Sequence, residues 1–165
     1  MTSKPRLLIS ACLLGQPVRY DGQSKPMPQE NWTLLRERFE LIPACPECLG
    51  GLPTPRPAAE IIGGSGDDVL ANQAKVSAAN GLDVSQPFLN GAKQALELAQ
   101  RHGCAHALLK ANSPSCGNRQ IYDGSFGKQL RPGRGVAAAL LGQHGIAVWN
   151  EEEISALLDL PPVAP

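Results

Sequence analysis

The sequence predicts an α/β domain in which a mostly parallel β-sheet is flanked by helices. Short apolar runs alternate with helical segments along the chain, and this alternation is typical of right-handed βαβ units. The first of these runs is continuously apolar, as expected for a strand that is covered on both faces. No repeat, linker or charge block divides the 165 residues, so we expect a single Rossmann-like domain over residues 1–165.

The amino-terminal part contains the first two predicted strands and the first predicted helix. Residues 6–14 form an apolar run that ends at Gly15, as a buried parallel strand does. A loop rich in Pro and Gly follows at 15–29, and the segment 30–39 places its apolar side chains on one helical face. Residues 40–47 are predicted to form the second strand.

The middle of the chain combines loops with one long helix. Residues 53–68 indicate a Pro/Gly loop with a brief apolar centre, of which 63–68 is expected to be a flexible turn. An Asn-Gly turn within 74–88 predicts a hairpin at a sheet edge. The long helix is expected to begin with Ser85 as its cap and to end at Gly103. Its apolar stripe consists of Phe88, Ala92, Ala95, Leu96 and Ala99.

The carboxyl-terminal part continues the alternation of strands and helices. Residues 104–110 predict a third strand, followed by a loop at 111–124. Small apolar residues at 135–145 predict a helix, and 146–150 predict a fourth strand. The segment 151–158 is expected to form a final short helix.

The overall composition excludes several classes of protein. Fifteen basic and fifteen acidic residues cancel, so no net charge directs the chain to nucleic acid or to a membrane surface. No apolar run approaches the roughly 18 residues that span a bilayer, and the apolar start lacks the small-residue cleavage site of a signal peptide. We therefore expect a cytoplasmic protein with no membrane partner. In that compartment, its five cysteines are expected to be thiols or metal ligands.

Three cysteines lie at or just after the ends of predicted strands, at Cys12, Cys45 and Cys116. Because the carboxyl ends of parallel strands share one edge of a sheet, these thiols are expected to converge there. Cys104 lies at the start of its strand, on the opposite rim, and is expected to belong to the core.

The Cys-x-x-Cys spacing of Cys45 and Cys48 is compatible with three kinds of site. A structural zinc site usually takes four ligands in two close pairs, and here only one pair is present. A thioredoxin-like dithiol requires a helix amino terminus, whereas this segment continues into Gly and Pro. An iron–sulfur cluster accepts thiolates from scattered loops, and this pattern fits best.

Four motifs resemble those of the thiouracil desulfidase (TudS-like) family and occur in the same order. They are SACLLGQPVRYDG, CPECLGGLPTPRPAAEI, NGLDVSQPFLNGA and LLKANSPSCG, within about residues 6 to 150. The resemblance implies non-redox desulfuration of 4-thiouracil or 4-thiouridine monophosphate to the uracil form, with release of hydrosulfide. A small thiolated base or nucleotide is therefore expected as the substrate, in preference to thiolated tRNA.

The same resemblance implies a [4Fe-4S] cluster that is bound by only three cysteines and has one open iron. Carried over motif by motif, the ligands are Cys12, Cys45 and Cys116. Cys48 then lies outside the ligand set, although a role as a fourth ligand in a resting form stays open.

The resemblance further implies a glutamate and a serine beside the open iron. Glu47 matches the glutamate and is expected to act as the general base on water. The serine is Ser113 or Ser115, of which Ser113 is the closer match by its position before the cysteine.

Cationic and aromatic residues of the surrounding loops are candidates for contacts to the substrate. Arginine offers bidentate geometry to a phosphate group, and a tyrosine ring can stack on a pyrimidine. The cationic candidates are Arg19, Lys25, Arg56 and Arg119, and the tyrosines are Tyr20 and Tyr122.

The alternative function is a non-catalytic zinc or iron–sulfur module that senses iron or oxygen.

Overall fold

The structure is a computed structural model and describes residues 4–14, 21 and 27–160. The strands of that part are β1 (Arg6–Ser10), β2 (Glu40–Ala44), β3 (Ala59–Ile62), β4 (Lys75–Ala78), β5 (His106–Leu109), β6 (Gln120–Tyr122), β7 (Leu130–Pro132) and β8 (Ala147–Asn150). The helices are α1 (Gln29–Arg38), α2 (Pro46–Leu49), α3 (Gly66–Leu70), α4 (Ser85–Arg101), α5 (Val136–Gln143) and α6 (Ile154–Leu158). Short 3₁₀ turns follow β1 and β8, at Ala11–Leu14 and Glu151–Glu153.

The central sheet is parallel throughout, with the strand order β2-β1-β5-β8. Leu8 of β1 packs in one core cluster with α4 and α5, while Leu7 and Ile9 pack in another with α1 and α6. Successive side chains of a strand point to opposite faces, so both faces of this sheet are covered. The predicted α/β architecture with a mostly parallel sheet flanked by helices is confirmed.

Two antiparallel pairs, β3–β4 and β6–β7, lie outside the central sheet, and β3, β6 and β7 were not predicted. The predicted Asn-Gly turn is present, with Gly81 at a φ of 86°. However, β4 pairs with β3 in an antiparallel ladder. The residues after the Asn-Gly turn, which were expected to form the second strand of the hairpin, pair with β4 through a single bridge between Ser77 and Asp83. Strands of three or four residues contain too few alternations to stand out in a sequence.

Helix α4 buries the predicted stripe, but Ser85 does not cap it. Val84 precedes the helix, and the Ser85 hydroxyl oxygen instead accepts the Val76 N–H at 2.8 Å. Asp83 Oδ1 accepts the Ser85 N–H at 2.8 Å. Ser85 therefore joins the start of the helix to β4, and Gly103, with a φ of 65°, lies just after the helix end.

The second half of the segment 63–68 begins helix α3 at Gly66, so the expectation of a flexible turn is wrong for residues 66–68. Ser65 precedes α3 and forms a capping box with Asp68, whose Oδ2 accepts the Ser65 N–H at 2.9 Å. This reciprocal bonding satisfies helix amino-terminal donors that a turn would leave to water.

No helix of the described residues is long and apolar enough to cross a membrane.

Helix α2 packs on α4 through backbone atoms, because Gly50, directly after α2, and Gly91 of α4 lie at the contact. A Cβ built on Gly50 would lie 2.0 Å from the Pro87 carbonyl oxygen, and one on Gly91 would lie 1.9 Å from the Pro46 carbonyl oxygen. No side chain separates the two helices there. The short segment that follows β2 is consequently fixed against the longest helix of the domain.

Candidate functional site

A cavity of about 590 Å³ opens at the carboxyl edge of the central sheet. Its walls come from the segments that follow β1, β2 and β5, together with β3 and the β6–β7 hairpin. Ligand sites of open α/β sheets are expected at this edge.

Three cysteines line this cavity, each from a different segment. Cys12 lies in the 3₁₀ turn after β1, because β1 ends at Ser10, earlier than predicted. Cys45 directly follows β2, and Cys116 lies in the loop after β5. Cys12 and Cys116 are each 7% exposed, and Cys45 is half-buried. The three cysteines therefore line one cavity at the edge that the strand order predicts.

Cys45 is followed by the one-turn helix α2, contrary to the expectation that Gly and Pro would prevent a helix. Pro46 occupies its first position, where a proline has no N–H to leave unpaired and already has a helical φ. A helix amino terminus lowers a thiol pKa, but here burial raises the pKa of the Cys45 thiol. This burial opposes the formation of the thiolate that a thioredoxin-like dithiol requires.

Cys116 is surrounded by hydroxyl groups. Burial raises the pKa of its thiol to about 12, and the nearby Glu47 and Cys12 add to this effect. The Ser10 hydroxyl donates to Cys116 Sγ at 3.8 Å and accepts the Lys110 N–H at 2.9 Å. Ser10 was not among the sequence-based candidates, because the first strand was predicted to continue to residue 14 and Ser10 then lies in its interior.

Glu47 of α2 forms an ion pair with Arg56 at the cavity wall. Glu47 Oε2 lies 2.7 Å from Arg56 Nη2, and the two side chains are 18% and 3% exposed. Arg56 Nη1 donates to the Pro53 carbonyl at 3.1 Å and to Thr54 Oγ1 at 3.0 Å, and lies 3.9 Å from Cys48 Sγ. Burial opposes the charge of Arg56, but Glu47 outweighs it and the pKa of the guanidinium is raised.

The two candidate serines occupy different environments. Ser113 lines the cavity, and its hydroxyl oxygen accepts the Cys116 N–H at 2.7 Å. Ser115 is 2% exposed, does not line the cavity, and contacts Cys116 with its side chain. Its carbonyl accepts the N–H groups of Ala137 and Ala138 at 2.9 and 3.1 Å, which ties the loop to the start of α5.

Of the remaining cationic candidates, the structure describes Arg119. Arg119 does not line the cavity; its side chain is 71% exposed and pairs with Glu153 at 2.5 Å. Arg19 and Lys25 lie outside the described residues, as does Tyr20. Of the cations predicted to contact a substrate, Arg56 lines the cavity, with its guanidinium bonded to Glu47.

Two lysines that were not predicted also line the cavity. Lys110 directly follows β5 and pairs with Glu151, with Nζ 2.6 Å from Oε2. Its place as the last residue of the predicted third strand was a usable signal in the sequence. Lys128 lies in the loop between β6 and β7, and nothing in the sequence marked it, since neither strand was predicted. Tyr122 of β6, a predicted stacking residue, lines the cavity as well.

The chemistry of these donors suits an iron–sulfur cluster. Among the described His, Cys, Asp and Glu residues, no three are grouped as ligands for a single metal ion. A [4Fe-4S] cluster takes thiolates at separate irons, so thiols spread over the walls of one cavity fit it. Iron binding also offsets the cost of a buried thiolate. Cys12, Cys45 and Cys116 thus fit such a cluster.

Comparisons with known proteins show the family of this chain. Residues 7–153 match the family described as 2-thiouracil desulfurase. The uncharacterised protein YbbK of Bacillus subtilis (strain 168) is 43% identical over 152 residues, which cover 92% of this chain and 99% of the relative. The solved structure of TudS, a [4Fe-4S]-dependent thiouracil desulfidase, is 44% identical with a TM-score of 0.83, covering 93% of this chain and 95% of that chain. The family that the four motifs suggested is therefore confirmed, and the chain belongs to the 2-thiouracil desulfurase family.

Proposed function

We propose that this chain replaces the sulfur of a thiolated pyrimidine by oxygen at a [4Fe-4S] cluster held by Cys12, Cys45 and Cys116. The observation that carries the proposal is that the three thiols and the Glu47 carboxylate line one cavity. Membership of the desulfurase family and the likeness to TudS support the same reaction here.

When bound, the cluster supplies an iron with an open position, a Lewis acid that prefers a soft thiocarbonyl sulfur to a carbonyl oxygen. The protein supplies the general base and orients the attacking water. Glu47 takes a proton from the water that attacks the ring carbon, and Arg56 holds the carboxylate for this step. Water adds to the carbon, the carbon–sulfur bond breaks, and the sulfur leaves as hydrosulfide, so no net electron is transferred.

Ser113 is the residue that orients the attacking water in this proposal. Its hydroxyl oxygen accepts the Cys116 N–H at 2.7 Å, which fixes the side chain and leaves the hydroxyl proton available to a second partner. Ser113 lines the cavity, whereas Ser115 does not. The geometry therefore favours Ser113 over Ser115 for a contact to water.

The size of the cavity supports a small thiolated base or nucleotide as the group that is bound. Its volume of about 590 Å³ falls within the roughly 300–1,000 Å³ of small-molecule sites. The family description names 2-thiouracil, whereas the motif resemblance implied the 4-thio isomer. The proposal covers sulfur at either ring position.

The test is turnover by anaerobically reconstituted protein that contains about four irons per chain. The loss of thiocarbonyl absorbance from 4-thiouracil and 2-thiouracil is followed together with uracil and hydrosulfide. We expect uracil and hydrosulfide in equal amounts from at least one isomer, and none from cluster-free protein. Fully loaded protein that releases no hydrosulfide from either isomer would contradict the proposal.

A further inference from the structure

The loop between β6 and β7 has an unusual backbone. Phe126 and Lys128 have φ angles of 59° and 60°, in the left-handed region that favours glycine, and Gly124 has a φ of 94°. A bulky residue rarely adopts such a conformation, and a strained residue persists only where its surroundings hold it. We call residues 123–129 the hairpin tip.

The hairpin tip is held by a buried carboxylate. Glu60 of β3 is 7% exposed, and its Oε1 accepts the N–H groups of Gly124 at 2.9 Å and Phe126 at 3.2 Å. The Asp123 N–H also donates to the Gln129 carbonyl at 2.9 Å, closing the loop. The position of Phe126 is consequently set by specific bonds from a neighbouring strand.

Core packing does not explain the strain at Phe126. Its side chain is 38% exposed, and it belongs to none of the three hydrophobic clusters of the described residues. It lines the cavity instead, together with Tyr122 and Leu130 of the same hairpin. A strained, exposed aromatic residue at the wall of a cavity is a feature expected of a ligand contact.

We propose that Phe126 binds the substrate through the face of the pyrimidine ring. This inference rests on the proposed function, since it takes the thiolated pyrimidine as the occupant of the cavity. An aromatic ring stacks on any base, because every base has a π face, and the contact does not depend on where the sulfur is attached. Phe126 therefore contributes to affinity for 2-thiouracil and 4-thiouracil alike, while Glu47 and the cysteines act on the carbon–sulfur bond.

The test compares Phe126→Asn and Phe126→Leu with wild-type protein. Asparagine tolerates the left-handed backbone but lacks the ring, and leucine keeps apolar bulk without a π face. We expect KM to rise about tenfold for each isomer in Phe126→Asn, with iron content and kcat little changed. The melting temperature of Phe126→Asn should not fall, because the strain is relieved. Leu82→Asn is the matched control, since Leu82 is 63% exposed and lies outside the cavity.

Calorimetric binding of uracil to the loaded protein gives a second measurement that needs no turnover. Weaker binding of uracil by Phe126→Asn and Phe126→Leu supports the ring contact, even if wild-type protein turns over neither isomer and the proposed function fails. A different outcome overturns the ring contact alone. In it, the wild-type protein turns over a thiouracil, and both variants have KM values and uracil affinities within twofold of the wild-type values. Wild-type protein that neither turns over a thiouracil nor binds uracil overturns both proposals.

Discussion

The Arg56 guanidinium, with 3% of its side chain exposed, holds the carboxylate of Glu47, nine positions earlier in the chain, at 2.7 Å. Its other amino group is bonded to the Pro53 carbonyl and to Thr54 Oγ1, so the cation is fixed from both sides. A carboxylate bound to such a fixed cation keeps one orientation toward the cavity. The proposed general base is thus positioned by a residue that the sequence had suggested for a substrate phosphate.

Arg56→Gln should lower kcat more than it changes KM, because the carboxylate loses its fixed orientation while the ring contacts stay. We also expect the free energy of unfolding to fall by about 2 kcal/mol, less than the ~3–5 kcal/mol for a fully buried pair, since Glu47 is 18% exposed. Arg56→Lys keeps the charge without the planar fork and should restore part of kcat. Kinetics and melting curves check both effects; an unchanged kcat in Arg56→Gln would exclude the positioning role.

Glu47→Gln should leave iron content intact and lower turnover by ~10²-fold or more. The free energy of unfolding should also fall by about 2 kcal/mol, as in Arg56→Gln, because the buried guanidinium loses its counter-charge. The amide keeps the shape and the hydrogen bonding of the side chain, but it cannot accept a proton from water. Iron analysis, visible absorbance and hydrosulfide release are measured on the same sample. Turnover close to that of wild type would mean that another group activates the water.

Ser113→Ala should reduce kcat by roughly tenfold, the equivalent of one lost hydrogen bond at about 1.4 kcal/mol. Ser115→Ala should have the smaller effect, because Ser115 does not line the cavity. Iron content is determined alongside, since the Ser113 hydroxyl also accepts the N–H of Cys116. A larger loss in Ser115→Ala, at equal iron content, would reverse the assignment of the two serines.

Alanine at Cys12, Cys45 or Cys116 should abolish the cluster, because each substitution removes one of three thiolate ligands. Cys48→Ala and Cys104→Ala should retain the iron, and they serve as the matched controls for the loss of a thiol. Iron content and visible absorbance after anaerobic reconstitution distinguish the two groups. A full cluster in any of the first three variants would contradict the ligand assignment.

The parts of the fold that could be predicted are those with long, regular patterns. The stripe from Phe88 to Ala99 identified α4, since five apolar positions at helical spacing rarely occur by chance. The continuous apolar run at 6–14 identified β1, although its last four residues form a 3₁₀ turn. Strands β6 and β7, with three residues each, depend on tertiary contacts that no local pattern records.

The candidate site divides in the same way. The cysteines could be placed because strand order alone brings the ends of β1, β2 and β5 to one edge. The hydrogen-bond partners of the site residues could not be predicted. Arg56 contacts Glu47, and Ser10 contacts Cys116, only because of the side-chain geometry of the folded chain. Phe126 was missed since its hairpin was not predicted.

The contact between α2 and α4 limits how this site can diverge among relatives. Any side chain at Gly50 or Gly91 would meet backbone oxygen at 2.0 or 1.9 Å, and backbone cannot swing aside as a flexible side chain does. Substitutions at these two glycines, which lie at the contact between α4 and the segment that carries Glu47, are therefore restricted. The hairpin tip meets the cavity through the side chain of Phe126, which can change size without moving a helix. A relative that accepts a bulkier substrate ring would gain the space at the hairpin tip, while the proposed general base Glu47 stays in place.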